Sequence, residues 1–581
     1  MTEQNTTSFT RVDEDITGAV AVGRVIAGLD QATVYGMPGG YTVHIFDALR
    51  DLKADVNVHL VRQESVGSVM AEASGRLTGV PSVVMGQGQW ILGNAGIGIM
   101  EAHLGASPML VLLDATDGGP SSHLGPYQAS LGGYGAVDLP AAMRAITKET
   151  FVANDATQAL QMTQLAIKHA TSGEPGPVAV IFRRDSLFGR VQVESQPPSY
   201  LHGSYGTPRS DVVSPSQIEA AVKTLGSARK PIVLAGNGVR LGHAEAALLS
   251  FARTLDIPVV TTPAGKGTFP EDHALALGVI GSFGHNHANR SLGESDVIVA
   301  VGTKLGATDL ADFHPDLISA TRQRLIHIDV EPRNIGWTVP ATNAIVGDAE
   351  LSLVTLGAQA AGFSGGGRTR VEEARARNRS SRAESATGDF SARDAVLIMN
   401  ELLPAKTVVT CDAGENRLFV LSDYVVKEGG TVLQPNGGGG MGYAIPSATA
   451  AAMVRPDSLA VATCGDGGFG MSFHALLTAV ELGVDMIVVV FDNRILGWVY
   501  HGQRGRVIAS EFPSTDYSAI AAAAGCTTYS ARTPAEFHTA LTEALAITGV
   551  RVIVSSVSNE DRYQDVMADL HTVDGYSVPQ Q

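Results

Sequence analysis

The chain has 581 residues, 44% of them hydrophobic and 17% charged, with a formal net charge of −17. That length and apolar content suit about three folded domains, and the acidic balance argues against nucleic acid or an anionic membrane as a partner, while leaving a locally bound anionic ligand open. The three cysteines, Cys411, Cys464 and Cys526, are far apart and form no CxxC pair, so neither a zinc site nor a disulfide framework is expected.

The chain opens on a polar, acidic stretch, MTEQNTTSFTRVDEDITG, without the basic start and apolar run of a signal peptide. No later apolar run approaches the ~20 residues needed to span a bilayer, and a cytoplasmic location is expected. A first block, residues 15–190, alternates short β-rich runs (Ala32–Tyr35, Val56–Leu60, Ser82–Met85, Met109–Leu113, Val178–Ile181) with Ala-rich helical stretches. Short apolar runs separated by helices predict a parallel sheet covered on both faces. Gln196–Ser210, rich in Pro, Ser and Gly, reads as a linker. The second block, 211–357, repeats the rhythm with Pro231–Ala235, Val259–Thr261, Val297–Val301 and Leu325–Ile328. Gly357–Asp389 is Gly-rich and then charged, the composition of a linker with a solvated helix. The third block, 390–560, carries Thr407–Thr410, Leu459–Thr463, Met486–Phe491 and Val552–Ser555, and the tail 561–581 lacks strong periodicity. The expected fold is α/β, with three doubly wound parallel-sheet domains.

The strongest chemical signal lies in the third block. The apolar run Leu459–Cys464 leads into Gly465-Asp466-Gly467-Gly468, then a helical stretch (Phe473–Leu482), a second apolar run and Asp492-Asn493. In a strand–helix–strand unit Asp466 and Asn493 fall at the carboxyl ends of adjacent strands, where α/β sheets bind ligands. Glycines let backbone approach a diphosphate closely. A carboxylate and an amide oxygen are hard ligands suited to Mg²⁺. A Gly-Asp-Gly alone is as often a plain turn; the spacing and topology tilt the balance towards a site.

This unit resembles the cofactor-binding motif of thiamine-diphosphate (ThDP)-dependent enzymes, and residues 17–558 resemble the acetohydroxyacid synthase-like branch of that superfamily. The resemblance implies a pyrimidine-binding first domain, a nucleotide-binding-like middle domain and a diphosphate-binding third domain. It implies Asp466, Asn493 and the carbonyl of Ile495 as Mg²⁺ ligands, with Gly465, Gly467 and Gly468 beside the diphosphate. His59–Glu64, HLVRQE, is a run ending in one carboxylate ahead of an Ala/Gly-rich helix; Glu64 matches the family's catalytic Glu. A proton shared between Glu64 and N1′ of the aminopyrimidine favours the tautomer whose N4′ acts as base toward thiazolium C2. Judged alone, Glu64 is an ordinary helix N-terminal carboxylate. In Pro435-Asn-Gly-Gly-Gly-Gly-Met-Gly-Tyr443 the glycines mark a loop pressed against a ligand; Gly439 matches the carbonyl that accepts from N4′, and Met441 the wedge between the two rings. Weaker matches are Gly39 in Gly36-Met-Pro-Gly-Gly40, Asn94 after Gly88-Gln-Trp-Ile91, Gln128 on the substrate side, and Asn416 in Asp412-Ala-Gly-Glu-Asn-Arg417, where Glu415 is an odd neighbour for phosphate. Trp498, Tyr500 and His501 resemble the stretch that closes over substrate; each of these weaker matches, alone, reads as packing or surface.

The family's small turn is replaced here by residues that include Trp90, and Gln63 stands where a His commonly precedes the catalytic Glu. Val301–Asp309 lacks the Arg of flavin-binding relatives, so FAD is unsupported, with ADP, a CoA nucleotide or nothing as options for the middle domain. The implied function is ThDP- and Mg²⁺-dependent bond formation or cleavage next to a carbonyl, as in decarboxylation and carboligation of a 2-oxo acid. A 2-hydroxyacyl-CoA lyase or oxalyl-CoA-decarboxylase-like enzyme acting on a 2-hydroxyacyl substrate is the alternative, with the polar tail as a possible lid. A non-catalytic ThDP-fold binding subunit is a third reading, opposed by the presence of Glu64, Asp466 and Asn493. The resemblance implies a cofactor shared between two subunits, hence a homodimer at minimum and a homotetramer in most relatives.

Overall fold

The computed structural model describes residues 10–52, 56–116, 128–194, 198–201, 212–378 and 389–570. They form three six-stranded sheets, each parallel throughout. The chain divides into two compact units, Met1–Pro208 with Pro435–Gly440, and Arg209–Gln434 with Met441–Gln581.

In the first unit the sheet order is Asn57–Leu60, Thr33–Gly36, Ser82–Gly86, Met109–Ala115, Pro177–Arg183, Glu149–Ala153. Its central strands are buried almost end to end, which is why they are written mainly in β-branched and aliphatic residues. Helices Gly18–Ala27 and Ala156–Thr171 supply Val22, Ile26, Leu160 and Ile167 to the core on one face. Of the expected linker Gln196–Ser210, most lies outside the described residues; Tyr200–Leu201 is a short strand paired antiparallel with Thr10–Arg11.

The second unit holds two sheets. One is ordered Ala276–Val279, Val259–Thr261, Pro231–Ala235, Val297–Val301, Arg324–Asp329, Asn343–Val346, the strand order of dinucleotide-binding folds. The other is ordered Thr431–Leu433, Thr407–Cys411, Leu459–Gly465, Met486–Asp492, Val550–Ser556, Thr527–Ala531. Its connectivity repeats that of the first unit strand for strand. In both, the winding reverses between the strand second in the sheet and the one third, and that switch point is where open α/β sheets bind ligands.

Arg240 joins the two sheets of this unit. Its guanidinium is buried and donates to Asn237 Oδ1 and to the carbonyls of Ala264 and Lys266 on one side, and to Thr431 Oγ1 and the Val432 carbonyl on the other. Nearby, Lys266 pairs with Glu271 at 2.7 Å, and Glu271 also accepts from the backbone of Val426.

Besides the short pair Thr10–Arg11 and Tyr200–Leu201, five strands of the large sheets were not anticipated from sequence: Glu149–Ala153, Ala276–Val279, Asn343–Val346, Thr431–Leu433 and Thr527–Ala531. All five lie at sheet edges. The stretch expected to be a solvated linker helix is instead docked: in Gly367–Asn378, Val371 is buried, and Arg370 and Arg375 donate to the carbonyls of Pro231 and Ala276. Residues 379–388 lie outside the described residues. The turn expected at Gly88–Ile91 is the first part of a helix, Gly88–Asn94. The tail is packed as far as residue 570, with Tyr563, Val566 and Ala568 buried. All three cysteines are buried and free. Among the described residues no helix is long and apolar enough to cross a membrane.

Replacing Arg240 with alanine strips five acceptors of a donor in a dry junction. The expected loss is about 3 kcal/mol or more, measurable by denaturant unfolding of the purified variant.

Candidate functional site

In the first unit the candidate residues gather at the carboxyl end of the sheet, beside its switch point. Glu64 opens the helix Glu64–Thr78, just beyond the edge strand Asn57–Leu60, and is 7% exposed. Its Oε2 accepts from Asn94 Nδ2 at 2.9 Å. Asn94 is the last residue of the helix Gly88–Asn94. The other end of that helix is fixed by Asp114, whose carboxylate accepts from the backbone of Gly88 and of Tyr41. Burial raises the Asp114 carboxyl above the usual range, and those two N–H groups pull it back. One carboxylate thus sets both the glycine turn that contains Gly39 and the helix that presents Asn94. Gln128 accepts from Gln87 Nε2 at 2.7 Å, with its backbone in the left-handed region at φ 53°, and Gly39 packs on the Gln87 side chain. A left-handed non-glycine costs about 1 kcal/mol or more and persists only where its surroundings fix it.

The glycine loop Pro435–Gly440 belongs to this same unit. Glu101, 2% exposed, accepts from the backbone of Gly437 at 3.0 Å and of Gly438 at 2.7 Å. Its Oε1 also pairs with Arg76 at 3.0 Å, and Arg76 binds Glu72, itself bonded to Ser107 at 2.6 Å. Two carboxylates share one guanidinium in a dry interior, and the loop amides help to balance the excess negative charge. Gly439 follows at φ +63°, a conformation that strains other residues and turns the loop sharply at this point.

In the second unit, Asp412 and Asp466 follow the adjacent strands Thr407–Cys411 and Leu459–Gly465, at the switch point. Asp412 is fully buried, and burial pushes its carboxyl up to about 6 against three backbone N–H groups. It accepts from Gly442 at 3.0 Å and Ala444 at 2.6 Å, which fixes the backbone just after Met441. Asp466 starts the short helix Asp466–Ser472 and accepts from the backbone of Gly467 at 2.7 Å and of Arg494 at 2.6 Å. Gly465, Gly467 and Gly468 therefore lie at a helix N-terminus, where N–H groups favour an anion. Arg494, between Asn493 and Ile495, is left-handed at φ 59°. Asn493 Oδ1 accepts from Ile495 N at 3.2 Å.

The donor set fits a hard divalent cation. Burial pushes Asp466 up to about 7, and the neighbouring Asp492 carboxylate adds to the rise. Asp492 Oδ1 is buried without a hydrogen-bond partner. Two carboxylates crowded at the ends of adjacent strands are relieved by a cation, and the Asn493 amide and Ile495 carbonyl complete an oxygen set. Among the described residues no three His, Cys, Asp or Glu side chains converge as a metal site.

The structure thus brings Glu64 to Asn94, Gln128 to Gly39 through Gln87, and Asp466 to the backbone of Arg494, which lies between Asn493 and Ile495. It does not give Asn416 a firm partner at the same place: its amide reaches only the Thr463 carbonyl, at 3.5 Å. Glu415, the odd neighbour, is engaged elsewhere, with His501 and the backbone of Tyr563. Asp114, Asp412, Asp492 and Glu101 were not singled out as site residues from sequence. The available signal was a carboxylate at or just after an apolar run, as in Met109–Asp114 and Val408–Asp412.

Three sequence families match the chain: "Thiamine pyrophosphate enzyme, N-terminal TPP binding domain" over residues 16–121, "central domain" over 218–356, and "C-terminal TPP binding domain" over 412–555. The chain is similar to a probable acetolactate synthase large subunit of Methanocaldococcus jannaschii, 29% identical over 95% of this chain and 92% of the relative. A probable acetolactate synthase large subunit of Methanococcus aeolicus is 29% identical over 91% and 90%. The acetolactate synthase isozyme 3 large subunit of Escherichia coli is 29% identical over 92% of each.

Removing the Glu101 carboxylate leaves Arg76 paired with Glu72 but takes the acceptor from two loop amides. Glu101→Ala is expected to cost about 2–4 kcal/mol and to raise amide exchange at Gly437 and Gly438, read by hydrogen–deuterium exchange.

Proposed function

The chain belongs to the thiamine pyrophosphate enzymes, and from that premise we propose that it catalyses ThDP- and Mg²⁺-dependent decarboxylation and carboligation of a 2-oxo acid, a reading supported by relatives named acetolactate synthase. The observation that carries the reading is Glu64: one carboxylate at a strand's carboxyl end, nearly dry and held by Asn94. ThDP, when bound, supplies a nucleophilic carbon and an electron sink that no side chain offers. Glu64 would hold a proton at N1′ of the aminopyrimidine, and Asn94 keeps the carboxylate in one rotamer. The Gly439 carbonyl would accept from N4′, with Met441 between the rings. Asp466, Asn493 and the Ile495 carbonyl would hold Mg²⁺, with Gly465, Gly467, Gly468 and Asn416 around the diphosphate. Gln128 and Gly39 would face the substrate.

Assembly as a homodimer at minimum, and a homotetramer beyond it, is part of the proposal. It is supported by exposed apolar side chains near the candidate residues in sequence: Trp90, Met100 and Leu104 in one unit, Met471, Phe473 and Leu477 in the other.

Glu64→Gln is expected to keep ThDP affinity and melting temperature while losing most turnover, on the order of 100-fold or more; wild-type rates in the variant would refute the assignment. Asp466→Ala is expected to weaken Mg²⁺ and ThDP binding together, so that calorimetric titrations of ThDP with and without chelator become alike. The acceptor is expected to differ from that of a plain acetolactate synthase, because Trp90, 51% exposed, stands on the helix that presents Asn94. Pyruvate alone should give little acetolactate. Trp90→Ala should give more while shifting stability by only about 0.5 kcal/mol, as for an exposed side chain; product analysis and thermal melting check both.

A further inference from the structure

We propose that His501 is a positioning residue: it pins the helix Gly497–Gly502 and the C-terminal segment 559–563 to Glu415, at the start of the helix that carries Asn416. The proposal rests on the ThDP reading above. It concerns residues that this reading leaves without a task.

Three segments converge on one carboxylate. Glu415 Oε1 accepts from His501 Nδ1 at 2.6 Å and from the backbone of Tyr563 at 3.0 Å. His501 Nε2 lies 2.9 Å from the carbonyl of Asn559. The His501 and Glu415 side chains are only 7% and 5% exposed. Gly497, which opens the helix, lies so close that a Cβ there would displace the Glu415 carboxylate. Trp498, next to Gly497 in the helix, stacks on Tyr563 with centroids 5.1 Å apart and 9° between planes, and meets Phe283 edge-on at 5.4 Å. Ile495, the carbonyl candidate for Mg²⁺, lies two residues before Gly497, and Asn416 directly follows Glu415. The pin therefore sets the ends of both cofactor-facing segments without touching the cofactor.

Both ring nitrogens of His501 face oxygen acceptors. A neutral imidazole carries one N–H and satisfies one of them; the imidazolium satisfies both. The charged groups facing the ring are Glu415 on the helix Glu415–Asp423 and Arg562 on the C-terminal segment, with Tyr500 edge-on from its own helix. Burial lowers the His501 pKa, and Arg562 opposes protonation as well, but the Glu415 hydrogen bond and charge and the Asn559 carbonyl outweigh them, so the net shift is upward. A histidine raised in the folded state contributes fully below its ordinary value of ~6.5 and loses that contribution as pH rises through the raised value.

The test is ThDP affinity of the full-length protein at saturating Mg²⁺, by equilibrium dialysis from pH 6 to 9, with amide exchange of the peptide containing Tyr563 followed in parallel. The wild type is expected to lose about tenfold in affinity across one upward titration, the size of a single charge-assisted hydrogen bond, and Tyr563 should lose protection over the same range. His501→Gln should bind about tenfold more weakly at pH 6 and show no such midpoint. Glu415→Gln should move the midpoint to lower pH, an effect that loss of packing alone does not produce, and it decides the matter if His501→Gln does not fold. Identical pH profiles in the wild type and His501→Gln, or an unmoved midpoint in Glu415→Gln, overturn the proposal. If no form binds ThDP at any pH, the functional reading fails, and the pH dependence of Tyr563 protection alone decides the pin.

Discussion

A carboxylate at or just past a strand's carboxyl end, satisfied by backbone N–H groups of the loops around it, is the interaction on which both halves of the cofactor machinery depend. Asp114 holds the turn at Tyr41 and the helix at Gly88; Asp412 holds the backbone after Met441; Asp466 holds Gly467 and Arg494. Ligand loops carry many N–H groups with no partner in a helix or sheet, and an unpaired buried N–H costs roughly 1–3 kcal/mol. A buried carboxylate satisfies two or three of them at once and fixes loop geometry better than any apolar contact. The cost falls on the carboxylates, and it shows in the raised pKa values of Asp114, Asp412 and Asp466.

The first and third sheets use this device in one topology. In each, a carboxylate-bearing strand end lies at or beside the reversal of winding, and the candidate site residues lie around it. The middle sheet follows a different strand order, and the third is tied to it by Arg240 and by Glu271, which accepts from the Val426 backbone.

Legibility in the sequence followed burial. Central strands such as Met109–Ala115 and Met486–Asp492 are dry along almost all their length and therefore apolar up to the carboxylate near each end, and they were readable. Of the edge strands of the large sheets, Asn57–Leu60 was readable and the others were not. Thr527–Ala531 and Asn343–Val346 are mostly exposed or half-buried, and their composition does not differ from a loop's. Site residues with a motif, Asp466 and Asn493, stood out by spacing. Glu101 did not, because its role depends on a loop more than 330 residues away in sequence. Glu415 was legible only as a misfit: a negative charge beside an expected phosphate has a reason once His501 is seen against it.

The segment Pro435–Gly440 belongs to the first unit, although the chain on both sides of it belongs to the second. The first unit is therefore not a contiguous stretch of sequence. During synthesis, residues up to Pro208 leave the ribosome long before Gly437 and Gly438 exist to meet Glu101. Until then the buried Glu72–Arg76–Glu101 cluster keeps an unbalanced charge, and the nascent unit waits in an incomplete state while more than 200 further residues emerge. A gene fragment that ends at the first linker encodes the sheet but not its completion, so this unit is not a module that recombination can lift out whole.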